Sequence, residues 1–588
     1  MPMAFFPLKT AFSSAVLLAS LGLGFGLTQL GERQAHGVAR PPLKVAPAPV
    51  EGELVTSLTS SVPYAYIPPQ CYTRTRAADG GVANPCYTCH VESQSPNYVS
   101  DGDLQLSYDF PDRARKNPWT NAFVDRRTRI AAVSDAEALD YVRRSNYLGA
   151  ERQLLLAAKL RALPPAWDAN GNGRWDGYVP DAYFDFDQRG FDHAPSGDFS
   201  GWRVYAYYPF PGAFWPTNGS SGDALVRLPA AFRENEQGQP DQSVYELNLS
   251  IVEALIQRRD VAVPASDERQ LGVDLDLDGK LGTATRVAFQ WQPGRGTRMG
   301  YVGRAGQLQR AGQLQIAAGL FPAGTELLHS VRYLDVVEGR VAMAPRLKEL
   351  RYARKTRWVD YGELASQAQH ARKEKLDSPD NLERFPGGFE SGVGNRQGWI
   401  YQAFIEDRTG ELRPETYQET LFCVGCHGGV GATTDGVFSF ARKLDERSFQ
   451  GGWYHEKQRG PRGLPEPKRQ DGRYEYSLYL QLNRAGDDLR ANNEVQARFF
   501  DSAGQLRPAA IAELHRDVST LLLPSPERAL RLDKAYREVV LEQSFERGRD
   551  ALLAPALNVE RALQPDAETG VTAMVPGPWR APALASGG

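Results

Sequence analysis

The chain has 588 residues, enough for two to four domains or for one large body with insertions. Its formal net charge is -3, so no excess of basic charge favours nucleic acid or an anionic membrane surface as a partner. Hydrophobic residues make up 41% and charged residues 24%, as in ordinary globular proteins, while 56 glycines and 40 prolines predict many turns and long irregular connections. The composition therefore argues against a helical bundle.

The N-terminal 39 residues have the features of a targeting segment. Lys9 carries the only charged side chain before an apolar run at residues 11–30. Small residues at Gly37 and Ala39 fit a signal-peptide cleavage site, and an uncleaved membrane anchor is the alternative, because about 20 apolar residues can span a bilayer. Either interpretation predicts a bacterial protein that is periplasmic or otherwise extracytoplasmic. It would contact a membrane only through this segment. A proline-rich tether follows at residues 40–50.

The next region, residues 51–165, is predicted to contain two helices. Ser134 and Glu137 have capping-box spacing, which predicts a helix to about residue 145. A second helix is predicted over 150–163, ended by two prolines.

Residues 166–353 have a different pattern. Alternating aromatic runs at 202–207 and 286–291 indicate strands, separated by turn residues. We expect a mostly β insertion with few helices. Helical periodicity returns in residues 354–588, with helices predicted over 508–522 and 533–549 and an irregular tail after Asn558.

Two pentapeptides share the pattern C-x-x-C-H, at residues 86–90 and 423–427. This is the attachment pattern of c-type haem, in which two thiols form thioethers with one porphyrin and the following histidine is the proximal iron ligand. Zinc sites and redox dithiols also use C-x-x-C, but neither requires the histidine. The pattern predicts two haem c groups, one on Cys86, Cys89 and His90 and one on Cys423, Cys426 and His427.

The pentapeptides do not specify the sixth iron ligand. His329, in an apolar segment, and His455, in an aromatic loop, are the candidate distal ligands, and a hydrogen-bonded structural histidine is the alternative for both. A distal histidine predicts a low-spin electron carrier, whereas an open position predicts a site for a small molecule. Cys71, the fifth cysteine, is expected to be buried and inert, with a distal ligand or a redox-active thiol as alternatives.

Two acidic loops resemble the first half of an EF-hand calcium loop. The candidate calcium ligands are Asp168, Asn170, Asn172 and Asp176 in the first loop, and Asp274, Asp276 and Asp278 in the second. A glycine at position 6 permits the sharp turn in each loop, but position 12 is Val179 or Thr285 where the pattern needs a bidentate glutamate. A calcium ion with a structural role therefore requires ligands from elsewhere in the chain, and a solvent-exposed turn is the alternative.

On the two pentapeptides, the chain resembles the dihaem c-type cytochromes, and more distantly the bacterial dihaem peroxidase-like proteins. The resemblance implies that the motif cysteines hold haem and that His90 and His427 are proximal ligands. Together with the composition and patterns along the chain, it predicts a mixed α+β, loop-rich fold in which helical, cytochrome c-like haem regions flank the β-rich insertion. In the peroxidase-like proteins one haem relays electrons and the other is the reaction centre.

Three functions follow from these expectations. The first is an exported dihaem c-type cytochrome that transfers electrons between periplasmic redox proteins. The second is a dihaem oxidoreductase, peroxidase- or oxygenase-like, and the third is a haem-based binding or sensor module. The two pentapeptides lie in unlike surroundings, which predicts haems with different roles.

Overall fold

An antiparallel sheet of nine strands forms the centre of the structure. The structure is a computed structural model, and it describes residues 61–76, 80–212, 215–292, 294–444, 460–484 and 492–577. The strands of the described chain are β1 (Thr75–Arg76), β2 (Val82–Ala83), β3 (Phe191–His193), β4 (Phe199–Tyr205), β5 (Ala224–Arg227), β6 (Val261–Asp267), β7 (Thr283–Val287), β8 (Glu326–Val337), β9 (Arg340–Lys355), β10 (Gly387–Gly388), β11 (Gly392–Gly394), β12 (Trp399–Glu406) and β13 (Leu412–Pro414). The sheet runs β10-β11-β12-β9-β8-β5-β4-β3, and β13 pairs with β12. Two-stranded pairs β1-β2 and β6-β7 lie outside it.

The β8-β9 hairpin is the longest pairing in the sheet. Glu338 and Gly339 join the two strands, and both have positive φ, 50° and 73°. Two such residues match the right-handed twist of the strands they connect. Because side chains alternate between faces along a strand, Leu328, Leu350 and Tyr352 enter one hydrophobic core, while His329 and Arg351 face the opposite side.

The described chain contains thirteen α-helices. They are α1 (Arg127–Ala132), α2 (Asp135–Arg143), α3 (Leu155–Arg161), α4 (Gln242–Gln257), α5 (Glu268–Leu271), α6 (Gly303–Arg310), α7 (Tyr361–Asp377), α8 (Tyr417–His427), α9 (Glu475–Asn483), α10 (Asn493–Phe499), α11 (Pro508–Leu514), α12 (Ser519–Leu522) and α13 (Pro526–Glu542). The chain is therefore mixed α+β and rich in loops, as the sequence predicted. Among the described residues, no helix is long and apolar enough to cross a bilayer.

The capping box at α2 is confirmed, since Ser134 Oγ accepts a hydrogen bond from Glu137 N and the glutamate returns one to Ser134 N. Other helix boundaries differ from prediction. The helix predicted from residue 150 begins at Leu155, because a turn between Gly149 and Gln153 precedes it. The helix predicted over 508–522 is two helices, α11 and α12, and the Asp517 carboxylate accepts from Ser519 N where the second begins.

Two further helices were misjudged. Helix α13 begins at Pro526, earlier than predicted, because Ser525 caps it by accepting from Arg528 N. Helix α4 lies inside the region expected to hold few helices. Twelve of its 16 residues are buried, although its polar residues 243, 246, 250, 253 and 257 recur at helical spacing.

The C-terminal tail contains no regular helix or strand over the described residues 559–577, as predicted. It pairs instead with the region of the first pentapeptide, through isolated bridges such as Thr73 with Val559 and Ser107 with Glu568. Gln105 connects the two, because its Nε2 atom donates to both His90 O and Val575 O. The tail therefore helps to position the first pentapeptide.

A cavity lined by both C-x-x-C-H motifs

Both pentapeptides line one cavity of about 1490 Å³. The lining includes Cys86, Cys89, His90, Cys423, Cys426 and His427. Pockets that hold one small ligand have volumes of roughly 300–1,000 Å³, so this cavity is larger than one such ligand needs. Two segments far apart in the sequence are thus brought to a single site.

The first pentapeptide forms a tight turn. Residues Cys86–Thr88 are a single 3-10 turn, and His90 N donates to Cys86 O at 2.9 Å. The turn is held from outside by Asn84, whose Oδ1 atom accepts from Cys86 N at 2.7 Å. This local geometry keeps the two cysteines and the histidine on one short, fixed piece of backbone.

His90 lies beside a carboxylate. Its Nδ1 atom is 3.6 Å from Asp101 Oδ2, too long for a hydrogen bond, and this buried nitrogen has no hydrogen-bond partner in the structure. An acidic group on the Nδ1 side leaves Nε2 as the nitrogen available to a metal.

The second pentapeptide is the C-terminal turn of α8. A capping box fixes the start of this helix, and Glu419 within it also forms a bidentate ion pair with Arg413 at 2.8 and 2.9 Å. Near the other end, a Cβ atom on Gly425 would lie 1.7 Å from Tyr66 O. Glycine at this position therefore lets the helix approach the backbone that precedes the first pentapeptide.

His427 has a defined hydrogen bond. Its Nδ1 atom lies 2.8 Å from Gly436 O, and because a carbonyl oxygen can only accept, Nδ1 carries the proton. Nε2 then keeps its lone pair. The ring stacks on Tyr401 with centroids 5.0 Å apart, and burial lowers the pKa of His427 to about 4, so the imidazole is neutral. A neutral imidazole oriented in this way is the form that binds a metal.

The carbonyl that orients His427 belongs to a turn with a buried ion pair. Asp435 and Gly436 are the central residues of the turn, with φ of 52° and 72°. Lys355 Nζ donates to both Asp435 carboxylate oxygens at 2.5 and 2.6 Å, and both side chains are fully buried. Asp435 also accepts from Phe321 N at 2.9 Å. The end of strand β9 thus fixes the turn against the site.

The four motif cysteines are not arranged as a four-thiolate zinc centre. Burial is the main reason that the pKa values of Cys423 and Cys426 rise to about 12, which keeps both as neutral thiols. Within the described ranges, only Glu268, Asp274 and Asp276 bring three potential ligand atoms within 4.8 Å of one another, so the four motif thiols do not converge on one point. A four-thiolate zinc site requires that convergence.

His329 lies on strand β8 and faces the cavity, opposite Arg351 in the register of the sheet. Its Nε2 atom is 3.3 Å from the Tyr207 hydroxyl. Burial, assisted by Arg351, lowers its pKa to about 3, so the ring is neutral. His455, the other predicted distal ligand, lies outside the described residues. Cys71 also lines the cavity, and burial raises its pKa well above its usual value, next to Cys86, Cys89 and Cys426.

The remaining described histidines have other surroundings. His370 is exposed on α7 at the edge of the cavity. His193 Nε2 lies 3.3 Å from Asp187 Oδ2. His515 stacks on Tyr474 and approaches Glu466 at 2.7 Å.

Buried charges form one wall of the cavity. Arg351 pairs with Glu349, and Arg549 pairs with both Glu349 and Glu415. The positive charges of these arginines lower the pKa of Cys423 and so oppose burial, which raises it. The sequence carried no signal for this network, since its members come from β9, the segment before α8 and the segment after α13.

Each of the two acidic loops is joined by a glutamate that the loop pattern did not predict. In the first loop, Glu390 accepts from Ala169 N at 3.1 Å and from Asp176 N at 3.0 Å. In the second, Glu268 accepts from Leu275 N at 2.6 Å and from Gly282 N at 2.8 Å. These backbone atoms occupy positions 2 and 9 of both loops. A glutamate from outside the loop thus binds the same two backbone positions in each loop, although neither loop has a glutamate at its own position 12.

The second loop brings three carboxylates together. Ligand atoms of Glu268, Asp274 and Asp276 lie within 4.8 Å of one another, and Asp274 Oδ1 is buried with no hydrogen-bond partner. In the first loop, by contrast, the amides of Asn170 and Asn172 both donate to Asp176. Asp278 Oδ1 accepts from Lys280 N at 2.7 Å.

A family model described as "-like lipoprotein" matches residues 55–516, which include both pentapeptides and both acidic loops. The chain belongs to this family of lipoproteins. It is also similar to an "Uncharacterized lipoprotein" of Aquifex aeolicus (strain VF5), with 29% identity over 553 residues that cover 85% of this chain and 87% of the relative. No solved structure matches the chain.

The family assignment made from the pentapeptides is therefore wrong. The chain was expected to belong with the dihaem c-type cytochromes, but its family is that of the lipoproteins. The physical reason is that C-x-x-C-H specifies local attachment chemistry in five residues and says nothing about the fold around it. Membership of a lipoprotein family agrees with the predicted location, outside the cytoplasm and anchored at a membrane.

The buried Lys355–Asp435 pair provides a test of how the site is held. In the variant Asp435→Asn, Lys355 loses its counter-charge, and we expect the free energy of unfolding to fall by about 3–5 kcal/mol. Urea denaturation measures this change. The matched control is Asp377→Asn, which breaks the exposed pair with Lys373 and should cost no more than ~1 kcal/mol. Equal, small losses in both variants would contradict a structural role for the buried pair.

Proposed function

We propose that this protein is a membrane-anchored, periplasmic electron-transfer protein that holds two covalently attached haems in one cavity. The observation that carries the proposal is the convergence of both C-x-x-C-H pentapeptides on a single cavity of about 1490 Å³. When bound, each haem supplies an iron that exchanges single electrons. Cys86 and Cys89 would hold one porphyrin with His90 as the proximal ligand, and Cys423, Cys426 and His427 would do the same for the other.

The surroundings of the two proximal histidines support different roles for the two haems. Asp101 approaches Nδ1 of His90, whereas a backbone carbonyl accepts from Nδ1 of His427. A nearby carboxylate makes an imidazole a stronger donor and favours ferric iron more than a neutral carbonyl does. The haem on His90 should therefore have the lower reduction potential. Periplasmic redox proteins are the partners that such a protein requires.

The N-terminal segment bears on how the protein is attached to the membrane. The first cysteine of the sequence is Cys71, which lies in the cavity wall. We propose that the apolar run at residues 11–30 is retained after export and anchors the protein to the membrane.

The attachment of haem can be tested by removing one thiol pair at a time. The protein is produced in a bacterium that attaches c-type haem, and haem is counted from the mass of the denatured chain and from its pyridine haemochrome spectrum. We expect two haems in the native sequence and one each in Cys86→Ser/Cys89→Ser and Cys423→Ser/Cys426→Ser.

Cys71→Ser is the control for these variants, because Cys71 lines the same cavity but belongs to neither pentapeptide. It should retain both haems. A native chain without covalent haem would refute the proposal.

The proposed role of His329 can be tested by spin state. His329 is neutral and faces the cavity, so we propose it as a sixth iron ligand. In His329→Leu, one haem should change from low spin to high spin and bind carbon monoxide after reduction, as measured by electron paramagnetic resonance and absorption spectra. His370→Leu, at the exposed edge of the cavity, should change neither property. An unchanged spin state in His329→Leu would exclude this residue as a ligand.

We also propose that the protein binds a structural calcium ion at the second acidic loop. It is supported by Glu268, Asp274 and Asp276 and by the unpartnered, buried Asp274 Oδ1 atom. A chelator should lower the melting temperature of the native protein, and Glu268→Gln should bind less calcium and respond less to the chelator. Glu236→Gln, on the exposed surface, is the control. Metal analysis that finds no calcium in the native protein would end this assignment.

A further inference from the structure

The segment that directly follows the second pentapeptide is hydrogen-bonded to the first pentapeptide and to the residues after it. Ala432 N donates to Cys89 O at 3.1 Å, and Asn97 Nδ2 donates to Val430 O at 3.0 Å. One bond therefore reaches a motif cysteine itself, and the other joins the segments that follow each motif. These bonds fix the two attachment sites side by side.

Gly431 allows this approach. A Cβ atom at this position would lie 2.3 Å from Val91 O and 3.1 Å from a Val91 methyl carbon. Val91 is completely buried, so it cannot move aside without cost. Any side chain at residue 431 would force the two backbones apart, and glycine is the residue that fits.

The motif cysteines also line one cavity. Cys86, Cys89, Cys423 and Cys426 all belong to its lining. Thioether bonds form at these sulfur atoms, so both porphyrins would be attached at neighbouring points of one cavity wall. The surroundings are buried, where charges interact more strongly than in water.

We infer that the Gly431–Val91 contact and the Ala432–Cys89 hydrogen bond couple the two attachment sites, so that both haems act as one redox unit capable of delivering two electrons to the same partner. The inference rests on the proposed function. It extends that function to two-electron reactions, because two coupled one-electron centres suit a partner that accepts or donates electron pairs. With both haems bound, an electron on one iron would lower the reduction potential of the other, because like charges repel.

Two measurements on the two-haem protein test the coupling. Circular dichroism in the Soret band should show a couplet of opposite signs, which arises when two porphyrins lie close together. Redox titration should give midpoint potentials that differ from those of the same haems in the single-haem variants Cys86→Ser/Cys89→Ser and Cys423→Ser/Cys426→Ser. Absence of the couplet together with unchanged potentials would overturn the inference.

The variant Gly431→Ala tests whether the Gly431–Val91 contact couples the two haem sites. It should retain both haems, with a couplet at least halved and midpoint potentials closer to those of the single-haem variants. Gly300→Ala is the matched control, because a Cβ atom there would meet only ordinary contacts at 3.7 and 3.8 Å. A couplet of native size in Gly431→Ala would overturn the role of Gly431.

The outcomes also separate this inference from the proposed function. A native protein without covalent haem refutes the proposed function. A native protein with two haems, no couplet and independent potentials refutes only the coupling. If Gly431→Ala fails to fold or to retain both haems, the comparison of the native protein with the single-haem variants decides the question by itself.

Discussion

The buried ion pair between Lys355 and Asp435 is the interaction on which the site depends. Strand β9 supplies the lysine, and the turn after the second pentapeptide supplies the aspartate. The same turn presents Gly436 O to His427 and binds Phe321 N. An ion pair without access to water is costly to break, because a single partner would remain charged in an apolar environment. It therefore fixes the histidine to the most extensive element of the sheet.

The cavity is built from three separate parts of the chain, and each contributes a different property. The loop-rich start of the described chain provides the first pentapeptide, and the C-terminal tail supports it through Gln105. The β8-β9 hairpin provides His329 and the buried Arg351–Glu349 pair. Helix α8 provides the second pentapeptide. The close approach of Gly425 to Tyr66 and of Gly431 to Val91 joins the first and last of these parts. This arrangement makes one site from two motifs.

Part of the fold could be predicted from local signals. The capping box at Ser134 was found because its residues are three positions apart, and the mixed α+β class followed from composition and periodicity. Helix α4 was missed although its polar residues recur every three or four positions, because the alternating aromatic runs on both sides of it favoured strands. The glutamates that close the acidic loops were missed for another reason. Glu390 is distant from its loop in the sequence, and Glu268 precedes the loop it serves, where the EF-hand pattern expects no ligand.

The sequence by itself determined the chemistry available at each pentapeptide, because two thiols and an adjacent imidazole depend only on spacing within five residues. It did not determine the family, which was assigned wrongly from those motifs. Only the tertiary structure decided that both pentapeptides face one cavity, that His329 shares it, and which groups contact the Nδ1 atoms of His90 and His427. The physical reason is that such contacts join residues whose separation along the chain carries no information about their distance in space.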